Sequence, residues 1–319
     1  PVNTIDNPSP QNNDFFARSV AISGGRFATG AHGDNTGASD AGCAYLYEIA
    51  TGMPSAPVVI NTPSPSSDEE FGTAVAISGT MVVVGAHHDD KGASNAGGVY
   101  VYDFTAGTPQ QPVLVIDNPT PVLNDYFGAA VAAAGNVIVV GAYQDDGGAQ
   151  NAGTVYIYNR TSGTPASPVH VIPNPSAQAQ DQFGNAVAIS GSLLAVGAFK
   201  NDAGAIDAGS VYIYDLSSQT PAVPILTLDN PEPAVDDWFG YAVAISGNKV
   251  AVGAYGDDAN AVDSGSVYIY DLSSPSSTTP VAIFRNPSPA AEDWFGYSVG
   301  ISESNLIVGA PMDDTGATD

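Results

Sequence analysis

The chain has one cysteine, Cys43, in 319 residues. That excludes a disulfide framework and every cysteine-rich zinc site. Basic residues are scarce too: 7 Lys and Arg stand against 33 Asp and Glu, a formal charge of −26. A surface of that sign repels phosphate backbones and anionic headgroups, so no nucleic-acid partner is expected. No apolar run approaches the roughly 20 residues of a membrane helix, so membrane insertion is not expected either. No segment sustains a 3.6-residue apolar period, which predicts almost no helix. The chain opens on Pro1 without the layout of a signal peptide, and so reads as processed or as a segment of something longer. The hydrophobic fraction of 44% is that of a folded protein.

What is present is a tandem repeat. Phe recurs at Phe16, Phe71, Phe127, Phe183, Phe239 and Phe295, at spacings of 55 and then 56 residues. Gly follows it in five copies, and Ala17 takes that place in the first. Fourteen residues after each Phe stands a Gly-Ala pair, from Gly30-Ala31 to Gly309-Ala310.

Each unit holds short β-like runs, which in the fifth are Tyr241–Ser246, Lys249–Ala254, Ser266–Asp271 and Pro280–Phe284. They are rich in Val, Ile and Tyr and are bounded by Ser-Gly, Asp-Asp and Pro-rich turns. The run VYIYD alternates, so its Val and Ile face one side and its Tyr residues the other. Four antiparallel strands per repeat predict an all-β fold, a propeller of about six four-stranded blades forming one domain over 1–319. A linear β-solenoid is the rival, but its coils are usually shorter.

The sequence Phe-Gly, then VAIS, then VVVGA resembles the FG-GAP repeat, known from the integrin α-subunit propeller, in its bacterial-type variant. The resemblance covers all six units. It implies a propeller in an extracellular or cell-surface protein concerned with adhesion or architecture rather than catalysis. Integrin-type repeats often carry a calcium loop between the first two strands. Here that interval is only a hairpin, as at Ser78-Gly79-Thr80, so those sites are not carried over.

A different acidic cluster follows each Gly-Ala pair: Asp34, Asp89-Asp90, Asp145-Asp146, Asp202, Asp257-Asp258 and Asp313-Asp314. Five residues after the second position of each pair lie Asp40, Asn95, Asn151, Asp207, Asp263 and Asp319. Another acid stands two before each Phe, as Asp14, Glu69, Asp125, Asp181, Asp237 and Asp293. Two readings stand: Asp and Asn capping tight turns through backbone amides, or oxygen ligands for Ca²⁺.

No His-Glu-x-x-His, Gly-x-Ser-x-Gly or phosphate-binding glycine loop occurs, so no enzyme is expected. His32 and His87 share a repeat position held elsewhere by Tyr143, Phe199, Tyr255 and Pro311, and His88 is adjacent. The position before the repeat Phe holds Phe15, Glu70, Tyr126, Gln182, Trp238 and Trp294. Its aromatics either pack between blades or stack on sugar rings, with Tyr126, Trp238 and Trp294 as candidate glycan contacts. Asn159-Arg160-Thr161 is the one permissible N-glycosylation sequon, and the Ser/Thr/Pro linkers suit exposed turns or O-glycans. Cys43 reads as a small buried hydrophobe.

The N-terminal PVNTIDNPSP aligns with PVLVIDNPTP at 112–121, a fourth strand, while the sixth unit stops before its third. The N-terminal strand is thus expected to complete the last blade in part. The gap suits a longer chain, a tolerated incomplete blade, or a strand donated by a second subunit into a head-to-tail filament. The sequence therefore reads as a non-catalytic extracellular structural or adhesive module with a protein partner or itself as partner. The alternative is a multivalent glycan-binding propeller.

Overall fold

The computed structural model describes residues 4–50, 53–54 and 56–314. Among these there is no helix; every repeat becomes one antiparallel meander. The first sheet holds Val20–Ser23, Arg26–Ala31, Cys43–Ala50 and Val58–Asn61, with the two-residue Met53–Pro54 folded back on its third strand. The second holds Ala74–Ser78, Met81–Ala86, Gly98–Asp103 and Leu114–Asp117. The third, fourth and fifth repeat this order, with third strands Thr154–Asn159, Ser210–Asp215 and Ser266–Asp271. The sixth has two strands, Ser298–Ser302 and Asn305–Gly309. The strands expected in the fifth repeat lie within two residues of those observed, Ala242–Ser246, Lys249–Ala254, Ser266–Asp271 and Ala282–Arg285.

In the first five sheets the first two strands are joined by a two-residue loop whose leading Gly has the left-handed backbone a hairpin needs, φ +61° at Gly79 and +56° at Gly247, and in the sixth Glu303 takes that place at +53°. The Ser before this Gly reaches the next sheet's hairpin. Ser78 Oγ accepts the Gly135 amide at 2.9 Å, and Ser190 Oγ accepts that of Gly247 at 3.0 Å.

By contacts the chain divides into two compact units, Pro1–Asp145 with Tyr156–Val169, and Asp146–Val155 with His170–Asp319. Within the first, sheet stacks on sheet through the alternation read from VYIYD. Val99, Val101 and Ile116 pack against Phe127, Tyr156 and Tyr158. Leu46 and Ile60 pack in the same way against Phe71, Tyr100 and Tyr102. The second unit repeats the arrangement with Val211, Ile213 and Leu228 against Phe239, Tyr268 and Tyr270. Each such aliphatic side chain is worth about 1.5–3 kcal/mol when fully buried, and Phe71, Phe127, Phe183 and Phe239 each meet two Tyr rings edge-on.

The glycines of Phe-Gly and Gly-Ala permit the close approach of sheets. A Cβ at Gly85 would lie 2.0 Å from the Gly128 carbonyl oxygen, and Gly128 itself has φ +91°. Only glycine satisfies both positions.

Thr4–Asn7 carries no strand, and the last sheet has two strands among the described residues. The N-terminal segment nevertheless keeps its repeat role on the first sheet. Ile5 packs against Cys43, Tyr45, Tyr47 and Phe16, as Ile60 packs on the second sheet. Packing and the Asn7 side-chain amide on Asp14 hold it there, without a strand ladder.

Candidate functional site

The acidic loops form three hydrogen-bonded devices that recur with the repeat. In the first, a buried Asp accepts a tyrosine hydroxyl from strand three and a backbone amide of its own turn. Asp89 Oδ2 accepts Tyr100 Oη–H at 2.7 Å and Oδ1 accepts the Lys91 amide at 2.9 Å. Asp145 and Asp257 take Tyr156 and Tyr268 likewise, at 2.7 and 2.6 Å. Asp34 lies 3.4 Å from Tyr45 Oη, whose closer partner is Ser9 Oγ at 2.7 Å. Where Asn201 stands instead of Asp, Tyr212 turns to Ser176.

In the second device an exposed Asp caps the loop end. Asp90, Asp146, Asp202 and Asp258 accept the amides of Asn95, Asn151, Asp207 and Asp263 at 2.7–2.9 Å. These recipients, with Asp40, have φ between +49° and +52°, a conformation that Asp and Asn tolerate. In the third, the acid before the Phe closes the entry turn. Asp125, Asp181, Asp237 and Asp293 each accept an Asn side-chain amide at 2.7–2.8 Å and a backbone amide at 2.6–2.8 Å. Asp14 repeats this with Asn7 and Gln11. The last repeat's Asp313 is half-buried and Asp314 exposed; Asp319 lies outside the described residues.

In four repeats the residue before the Phe and the residue after the Gly-Ala pair, 17 positions apart, stand side by side. Phe15 stacks on His32 with ring centroids 5.0 Å apart. Tyr126 meets Tyr143 at 5.5 Å and Trp238 meets Tyr255 at 4.8 Å. Within the second unit Phe199, Trp238, Tyr241, Tyr255, Trp294 and Tyr297 form a continuous aromatic patch. Trp294 lies nearly parallel to Tyr297, 17° apart in plane at 6.0 Å.

In the first unit the same positions bring together Glu70, His87 and His88, whose donor atoms all lie within 4.8 Å of one another. Among the described residues this is the one such group of three, and no Asp loop gathers three carboxylates so closely. His87 Nε2 is 3.6 Å from Glu70 Oε2 and His88 Nδ1 is 3.5 Å from Oε1. Burial, then the neighbouring His88 and His32, holds the His87 imidazole down to about 3, so it is neutral at physiological pH. Burial raises the Glu70 carboxyl, outweighing the pull of His88. His32 is lowered by burial and then by Arg18. The sequence shows each residue as a departure from its repeat position, but not their meeting.

Asn159 ends a strand and its Oδ1 accepts the Thr161 amide and hydroxyl at 3.0 and 2.8 Å. Asp103, Asp215 and Asp271 make the same turn with Thr105, Ser217 and Ser273, so the sequon coincides with a turn motif. Cys43 is buried and its thiol is pushed up to about 12, chiefly by desolvation.

No curated protein matches the chain in sequence. Among solved structures it is similar to the WD40 domain of coronin from Toxoplasma gondii, at 11% identity and a TM-score of 0.51 over 93% of this chain. The match spans 65% of that coronin chain, and at such identity it speaks for the β-propeller fold alone. The FG-GAP repeat matches at residues 9–47, 63–102, 122–158, 174–214, 228–270 and 284–319. With six such matches covering most of its length, the chain belongs to the FG-GAP repeat family.

Proposed function

We propose that the protein is a non-catalytic, extracellular structural or adhesive module that assembles head to tail with further copies of itself. One observation carries this reading. On the first sheet Val20 and Ile22 are 67% and 70% exposed, whereas their counterparts Val75 and Ile77 are 8% exposed beneath the preceding sheet. With Ile5, Phe27 and Ile49 they line an almost wholly apolar groove. A second copy supplies the matching chemistry: Ile307 and Phe284 are 76% and 46% exposed, and consecutive sheets within each unit pack through faces of this kind. The extracellular setting is supported by the family resemblance.

Analytical ultracentrifugation over a wide concentration range tests the assembly. A concentration-dependent series of oligomers is expected, lost in Ile22→Glu, a change at an exposed position that leaves the circular dichroism spectrum unchanged. A wild-type chain that stays monomeric at high concentration overturns the reading.

A second reading, a glycan-binding propeller, is favoured by the aromatic patch around Trp238, Tyr255 and Trp294, whose half-exposed rings offer flat faces to pyranose rings. Tyr126 holds the same repeat position in the first unit, beside Tyr143. Binding on a glycan array that disappears in Trp294→Ala and Trp238→Ala would establish it. An array without signal would remove it.

A further inference from the structure

We propose that Glu70, His87 and His88 form a binding site for a late first-row divalent cation, of which Zn²⁺ is the probe. The inference is independent of the assembly proposed above. Two imidazoles and one carboxylate are the donor set such ions favour, while Ca²⁺ asks for six to eight oxygens. Donors about 2.0–2.1 Å from a tetrahedral ion stand roughly 3.3 Å from one another. The observed His87–Glu70 and His88–Glu70 separations are 3.6 and 3.5 Å, to different oxygens of the carboxylate. All three donors lie within 4.8 Å of one another, so side-chain adjustment is needed to bring them onto one ion.

Three further observations favour this site. The His87 side chain is only 13% exposed, so its Nε2 meets the carboxylate largely out of bulk water. Its Nε2 faces the carboxylate at 3.6 Å, beyond hydrogen-bond distance, and so is open to another partner there. The two imidazole rings also lie 4.0 Å apart between centroids, which places both beside the one carboxylate. Tyr126 closes one side, 5.5 and 5.2 Å from the two rings. Asp40 and Asp68 lie near enough to add to the negative potential at Glu70. Three protein donors leave a fourth position open to water or to a donor from a bound partner.

The repeat itself provides suitable variants. Gln182 occupies the position of Glu70, and Gln144 that of His88. Glu70→Gln and His88→Gln therefore install residues that the fold already carries elsewhere. The test is calorimetric titration of Zn²⁺ into the full chain at neutral pH, with Co²⁺ absorption as a second readout. The expected result is one tightly bound Zn²⁺ per chain and visible Co²⁺ bands typical of low coordination. Either variant should weaken binding by at least the roughly 10–100-fold that loss of an outer-sphere partner already costs. Absence of binding by the wild type overturns the proposal. So does unchanged affinity in both variants, which would place the ion on surface acids.

Discussion

The side-chain amide of Asn230 donates to Asp237 Oδ2 at 2.7 Å, and the Ala234 amide donates to the same oxygen at 2.6 Å. Both donors favour the carboxylate, yet its pKa is raised to about 6, because burial and the nearby Asp257 and Asp258 outweigh them. A carboxyl raised on folding binds its proton more tightly in the native state. Its contribution to stability is therefore fully present below the unfolded pKa of about 4 and is lost as pH rises through about 6. Asp237→Asn removes that loss. Melting temperatures of the two proteins should diverge in favour of the variant between pH 4 and 7; parallel curves would show that Asp237 does not titrate in this window.

The two tyrosines of one strand should respond oppositely to the same substitution. Tyr100 donates to the buried Asp89 carboxylate at 2.7 Å, while the buried Tyr102 hydroxyl has no hydrogen-bond partner. Tyr100→Phe is expected to cost about 1.5–3 kcal/mol, the worth of a hydrogen bond to a charged group. Tyr102→Phe should be neutral or slightly stabilising, because it removes an unpaired polar group. Urea denaturation of both variants decides the matter, and equal costs would contradict these hydrogen-bond assignments.

Two glycines also separate. Gly79→Ala places its Cβ in open space and meets only the left-handed backbone, φ +61°, at a cost of about 1–2 kcal/mol. Gly85→Ala drives a Cβ to 2.0 Å from the Gly128 carbonyl oxygen, and forcing the sheets apart should cost about 3 kcal/mol or more. A chemical-denaturation midpoint for Gly85→Ala as high as that of Gly79→Ala would mean that the sheets are not in such close contact.

Calcium removal should leave stability unchanged. Both oxygens of Asp89 accept donors of the chain, and Asp90, Asp146, Asp202 and Asp258 are engaged by backbone amides at their loop ends. The loops therefore hold their shape through their own donors. Thermal unfolding with excess calcium and with a chelator should coincide; a marked drop on chelation would assign Ca²⁺ to these acids.

Much of this arrangement was legible in one dimension. Strand limits, hairpins and the two faces of VYIYD follow from near-neighbour rules: a period of two, Gly where φ is positive, Asp and Asn where a turn needs an acceptor. The turn-capping acids belong to the same class, since Asp90 reaches an amide only five residues on. Even the glycine pair declared itself by recurring at a fixed spacing of 14 residues from the Phe.

Tertiary packing decided the rest. It set Glu70 beside His87, 17 residues away, and joined Tyr255 to Trp294 across neighbouring sheets. It left Ile5 packed on the first sheet without a strand, and Val20 and Ile22 exposed where their repeats are covered. No local pattern encodes these meetings, because a repeat specifies the conformation of one unit, while the chemistry at each junction depends on which departures from the repeat the stacking of sheets brings together.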